Sequence, residues 1–163
     1  AVFWRMRVQK QHIDTLGKRN WWKSYALGRS GSLKLEFRLY YPTEEIIDFL
    51  ARVNYPHEGW TVEKFRQLAF VCRLQTPDRK RVGFFWYTLV PDTYRIFEGH
   101  VAIDPDFHGR WLDRSVSKQV INYARFLDAR VLMVFWRDPK PLNQMKFLGW
   151  EIEFPFAWKE IGD

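Results

Sequence analysis

The chain has 163 residues, enough for one domain whose core needs neither metal nor disulfide support, and its single cysteine, Cys72, excludes an internal disulfide framework or thiolate cluster. No apolar run approaches the roughly 20 residues that span a bilayer, and the opening AVFWRMRVQKQ lacks the long uncharged core of a secretory signal. The expectation is a protein without a membrane partner in a reducing, cytoplasmic compartment. The formal charge of +7 is unevenly spread, because residues 1–31 hold seven basic residues against one acid, Asp14, while the remainder is close to neutral.

In chain order, residues 1–32 form a basic, aromatic-rich extension carrying Trp4, Trp21 and Trp22 and ending at the Gly/Ser break GRSGS. That composition suits phosphate backbones and stacked bases, or a protein partner. A domain is expected over 33–163. In LKLEFRLYYP, Leu33, Leu35, Phe37 and Leu39 alternate with charged residues, which predicts a half-buried strand ended by Pro42. TEEIIDFLARV predicts a helix capped by Thr43, and TVEKFRQLA a second one opened by Thr61. FVCRLQT, VGFFWYTLV and YRIFEGHVAI, separated by the turns PDRKR and PDT, predict an antiparallel meander of three strands.

The third strand runs into VAIDPDFHGRWLDRSVSKQVINYA. There an apolar segment passes through Asp104-Pro105 and Gly109 to a helix whose stripe is Leu112, Val116, Val120, Tyr123, Ala124 and Leu127. A strand end beside a helix start exposes unpaired N–H groups and partial positive charge, so the junction is a candidate anion cradle. RVLMVFW, residues 130–136, reads as a strand buried on both faces and entered through that helical crossover. LNQMKFL is a short helix stopped by Gly149, and WEIEFPFAWKEI supplies one or two closing strands. The order predicts an α/β protein with a central mixed, mostly antiparallel sheet flanked by helices.

This order and the segment IDPDFHGRWLDR resemble the GCN5-related N-acetyltransferase (GNAT) superfamily over about residues 33–161, most strongly from Glu98 to Trp150. The resemblance implies the acyl-CoA acyltransferase fold, acetyl-CoA as cofactor and an amine as acceptor. Ile103-Asp104-Pro105 stands where that family has Val-x-Pro, and His108 and Gly109 where an Arg-Gly pair is common. Trp111 and Asp113 replace the family's second and third loop glycines, and the Gly-Arg-Trp form is similar to phage and bacterial members. By this alignment Ile103, His108, Gly109, Arg110, Trp111, Leu112 and Asp113 are the candidate cofactor-binding residues. FLGWE resembles the family's Leu-Gly-Phe ending. Counting back from Gly149, Met145 takes the place of the family's Tyr general acid and has no proton to donate, while the preceding Asn maps near Asp138.

Acyl transfer to an amine needs a positioned thioester, a polarised carbonyl and a base. Glu98 and His100, two apart on one strand face, are the candidate catalytic residues, with Glu98 as base. Their plainer alternatives are a solvated strand carboxylate and a satisfied sheet histidine. Asp113 suits the first turn of a helix as a dipole partner. Cys72, isolated in an apolar strand, reads as packing, and His12, His57, His100 and His108 show no metal-ligand spacing.

Two main readings follow. One is an acetyl-CoA-dependent N-acyltransferase, its site depleted at Met145 and the loop glycines. The other is a non-catalytic protein on the same fold, a phage virion or assembly component in the host cytoplasm or the virion. It would act through a protein partner or homo-oligomer contacts of residues 1–30. Nucleic-acid binding through those residues is a third.

Overall fold

The computed structural model describes residues 33–136, 139–153 and 156–162. The expected extension at 1–32 and Asp138 lie outside the described residues. The chain runs β1 (Glu36–Leu39), α1 (Glu44–Arg52), α2 (Val62–Leu68), β2 (Ala69–Gln75), β3 (Arg81–Leu89) and β4 (Ile96–Ile103). After a short 3-10 turn at Pro105–Phe107 come α3 (Arg114–Phe126), β5 (Val131–Phe135), α4 (Pro139–Phe147), β6 (Glu151–Glu153) and β7 (Phe156–Glu160).

The helix starts lie where their caps allow. Thr43 accepts from the Glu45 amide and Thr61 from the Lys64 amide, each satisfying a donor the first turn leaves open. α3 begins at Arg114, later than the apolar stripe predicts, because the Asp113 carboxylate takes the Val116 amide at 2.8 Å and so becomes the cap. α4 begins earlier than expected, at Pro139, since a first helical turn has no use for the N–H that proline lacks.

The seven strands among the described residues form one sheet in the order β1-β2-β3-β4-β5-β7-β6. β1 to β4 are antiparallel neighbours, as the short turns require, and β4 and β5 are parallel across the α3 crossover. The closing segment makes two strands, and the second of them, β7, pairs with β5. The sheet is mixed and mostly antiparallel with helices on both faces, as expected. On β3 the alternation sends Phe84 and Trp86 toward α1 and α2, where they meet Ile46, Phe49, Leu50 and Phe65. Phe85 and Tyr87 point the other way, into the larger core formed with Val116, Val120, Leu132 and Leu142. Gly83 is required where β3 and β4 close up, because a Cβ there would lie 2.2 Å from the Ala102 carbonyl oxygen. The edge strand β1 is covered from α3: Gln119 accepts from the Phe37 amide and donates to the Leu35 carbonyl, both at 2.9 Å.

The expectation that β5 is buried on both faces is corrected. Leu132 and Val134 are buried, yet Val131 and Met133 are only half-buried and Phe135 is 46 % exposed. The reason is helix length. α1 and α2, nine and seven residues long, rest on Val71, Phe84, Trp86 and Ala102 of β2 to β4 and do not reach β5.

Candidate functional site

β4 and β5 pair only from Ile96 with Val131 to Gly99 with Val134. β4 continues to Ile103, still paired with β3 as far as Gly83, so the carboxyl ends of the two parallel strands part. The region beyond the carboxyl ends of parallel neighbours is where α/β sheets hold ligands. The connection from β4 to α3 borders it.

That connection is built by local bonds. Asp104 caps the 3-10 turn by accepting from the Asp106 amide, and its carboxylate also accepts from Arg52 at 2.8 Å. The hydrogen bonds from Arg52 and the Asp106 amide, with the Arg52 and Arg81 charges, hold the Asp104 carboxyl below the usual range even though burial opposes them. His108 folds back so that its Nε2 lies 3.1 Å from the Ile103 carbonyl. Gly109 has a φ of +73°, the left-handed conformation that reverses the chain here and that side chains disfavour. Arg110 is exposed and donates to the Asp106 carbonyl at 2.6 Å.

The seven candidate cofactor residues separate into two groups. His108, Gly109 and Arg110 lie on the surface, and the Asp113 cap is half-buried. Ile103, Trp111 and Leu112 are buried, each 7 % exposed, and belong to the larger core. The Trp111 ring lies 6.1 Å from that of Trp136, the residue just past β5. The Trp136 indole N–H in turn contacts Met145 Sδ at 3.0 Å, and Met145 is 3 % exposed. Two indoles and a thioether thus pack around the parted strand ends. Trp136, absent from the sequence candidates, is recognisable only once β5 is placed beside β4.

Glu98 and His100 share the opposite face of β4, toward α1 and α2, in line with their spacing. His100 stacks on Trp86 at 5.3 Å and 11°, with Nε2 3.0 Å from the Thr88 hydroxyl. Burial pushes its pKa down to about 4, so at neutral pH the ring is uncharged. Glu98 is half-buried, and burial raises its carboxyl above the usual range. Among the described residues it accepts no hydrogen bond and forms no ion pair, so nothing offsets that desolvation. Cys72 is fully buried and its thiol is pushed up to about 12, which fits packing. Among the described residues no group of three or more His, Cys, Asp or Glu side chains is placed to hold a metal ion, and no helix is long and apolar enough to cross a membrane.

No family model matches the sequence, and no curated sequence matches it. Solved structures do match the fold. Mutant forms of the spermidine/spermine N-acetyltransferase SpeG from Vibrio cholerae superpose with a TM-score of 0.61 at 11 % identity, over 78 % of this chain and 95 % of theirs. A structure assigned to the GNAT family as an acetyltransferase, from Desulfovibrio desulfuricans, gives 0.59 at 16 % identity, over 78 % of this chain and 99 % of that one. A dodecameric spermidine N-acetyltransferase from Vibrio cholerae gives 0.60 at 12 % identity, over 78 % and 94 %. The chain therefore has the fold of the GNAT acetyltransferases, and at these identities the likeness concerns the fold.

Proposed function

We propose that the chain is an N-acyltransferase of GNAT type that uses acetyl-CoA and an amine. The observation that carries this reading is the pairing of a parted β4–β5 end and its Gly109 turn with a half-buried, unpaired Glu98 on the other face of the same strand. The junction residues fit a pyrophosphate by backbone and charge. The Arg114 and Ser115 amides open α3, where an N-terminus has no internal acceptors, and Arg110 and Arg114 are exposed cations on either side of the cap. Those amides and guanidiniums, with Gly109 allowing close approach, would hold the phosphates. Bound acetyl-CoA supplies an acyl group activated as a thioester.

The chain's own part is then positioning and proton transfer. An amine that reaches the sheet face as an ammonium is held by the Glu98 carboxylate, which removes its proton and frees the nitrogen lone pair. A raised pKa makes Glu98 a stronger base than an exposed carboxylate, and neutral His100, fixed by Thr88 and Trp86, adds no competing cation. Met145 gives the chain no proton donor where the family's Tyr would stand.

The test is calorimetric titration of the full chain with acetyl-CoA, expected to saturate and to be lost in Gly109→Val. Absence of binding at millimolar acetyl-CoA removes the reading.

A second reading, a non-catalytic GNAT-fold protein, is favoured by the Trp111–Trp136 packing and by the Asp113 carboxylate at the helix start. A virion or assembly component working through residues 1–30, on a protein partner, a second copy or nucleic acid, is its concrete form. Deletion of those residues then abolishes assembly or partner binding without changing any acetyl-CoA affinity. For nucleic acid, affinity falls steeply with salt.

A further inference from the structure

The part of the sheet face that α1 and α2 leave uncovered is aromatic and acidic. Strand register places Glu98 of β4, Met133 of β5, Trp158 of β7 and Glu151 of β6 in one row across four neighbouring strands. The row on one side holds Phe135, Phe156 and Glu153, and the row on the other holds Glu160 beside Val131. Phe135 and Phe156 stand edge to face with centroids 5.6 Å apart and are 46 % and 38 % exposed. Met133, Phe135, Phe156 and Trp158 belong to neither core cluster. These strand positions carry four carboxylates and no lysine or arginine. Among the described residues none of the four carboxylates has a hydrogen-bonding or ionic partner.

We infer that this face is the dock for a segment of the same chain, residues 18–23, KRNWWK, with Trp21 and Trp22 on the rings of Phe135, Phe156 and Trp158 and with Lys18, Arg19 and Lys23 among the carboxylates. Charge complementarity selects the occupant. Residues 1–31 hold seven basic residues against one acid and the remainder of the chain is close to neutral, so the face meets its opposite sign within its own sequence. KRNWWK joins two adjacent indoles to bases on both sides, the composition that a floor of rings rimmed by carboxylates accepts, whereas Trp4 has bases on one side alone. Reach allows it. Trp22 stands 11 positions before Leu33, at most about 40 Å of chain. β7 lies five inter-strand spacings from β1, about 24 Å across the sheet. A second copy suits the face less well, because a two-fold contact sets these carboxylates against the same carboxylates. The docking needs no acyl donor and stands apart from the acyltransferase reading.

The test is carbodiimide coupling of the full chain at micromolar concentration, which joins a lysine amine to a carboxylate in direct contact, read by peptide mass spectrometry. Lys18 and Lys23 are expected to couple to Glu151, Glu153 and Glu160 at least fivefold more than to the exposed Glu44, Glu63 and Asp78, in products of single-chain mass. Trp21→Ser/Trp22→Ser keeps every lysine and is expected to abolish that preference. Phe156→Ser, which breaks the floor and keeps the segment, should do the same, and salt at about 1 M, where charges are screened within about 3 Å, should reduce it. Coupling spread evenly over the exposed acids, or a preference that the double variant retains, overturns the inference. So do the same pairs found in products of twice the chain mass, because the segment on this face then comes from a second copy.

Discussion

The indole rings of Trp111 and Trp136 meet 6.1 Å apart, tilted by 37°, one from the loop after β4 and the other from the residue after β5. Trp111 is a buried member of the larger core and Trp136 packs against it, so the contact ties the connection between β4 and α3 to the end of β5. Trp111→Ala removes a buried aromatic and is expected to cost about 3–5 kcal/mol in denaturant unfolding. The same change opens the strand ends, so calorimetry on the folded variant should show tighter acetyl-CoA binding. Weaker binding with intact folding would mean that the indole itself forms part of the cofactor surface.

Asp113 serves the helix and opposes an anion. Asp113→Ala loses the bond to the Val116 amide and is expected to destabilise the chain by about 1 kcal/mol, whereas Asp113→Asn keeps a capping oxygen and costs a few tenths. Both remove a negative charge beside the first turn of α3. Both should therefore tighten acetyl-CoA, which separates the helix effect from the site effect in one pair of measurements.

His100 predicts an acid limb of stability. Its folded pKa, about 4, lies below the ordinary 6.5, so as pH falls the unfolded chain takes up the proton first. The contribution is complete above pH 6.5 and is lost between about 6.5 and 4, by up to about 3 kcal/mol. His100→Gln should flatten the dependence of Tm on pH across that window.

Glu98 has the opposite sign. A carboxyl whose folded pKa is raised is most compatible with the fold when protonated, so its contribution is lost as pH rises through the folded value. Glu98→Gln is expected to raise Tm at neutral pH and leave it unchanged in acid, where Glu98 itself is neutral. If Glu98 is the base, the same variant lowers the acylation rate by roughly 10²–10⁴-fold. A variant both more stable and less active marks a strained functional carboxylate.

Cys72, with its thiol pushed up to about 12 inside β2, should resist alkylation at neutral pH in the native chain and react fully once unfolded. Rapid native labelling would show that β2 opens far more readily than its packing implies.

Local chemistry carries most of what can be read directly from the chain. Period-2 alternation in β1, the Thr43 and Thr61 caps, the turn residues of the meander and the apolar stripe of α3 each depend on neighbours a few positions away. They fix the element order and with it the mixed sheet. The strand, proline, glycine and helix frame around Gly109 is legible for the same reason, and so is the shared face of Glu98 and His100.

Relations between distant segments were settled by tertiary structure alone. Nothing near Trp111 says that it turns inward to meet Trp136, and nothing near Phe135 says that α1 and α2 stop short of it, because both facts depend on where β5 and the helices pack. The row from Glu98 to Glu151 exists only because β7 inserts between β5 and β6, bringing carboxylates 53 positions apart in sequence onto one face. Hydrophobic periodicity tells each segment which side to bury. Which neighbour covers that side, and which face stays open to a ligand, is decided by the length and placement of elements elsewhere in the chain.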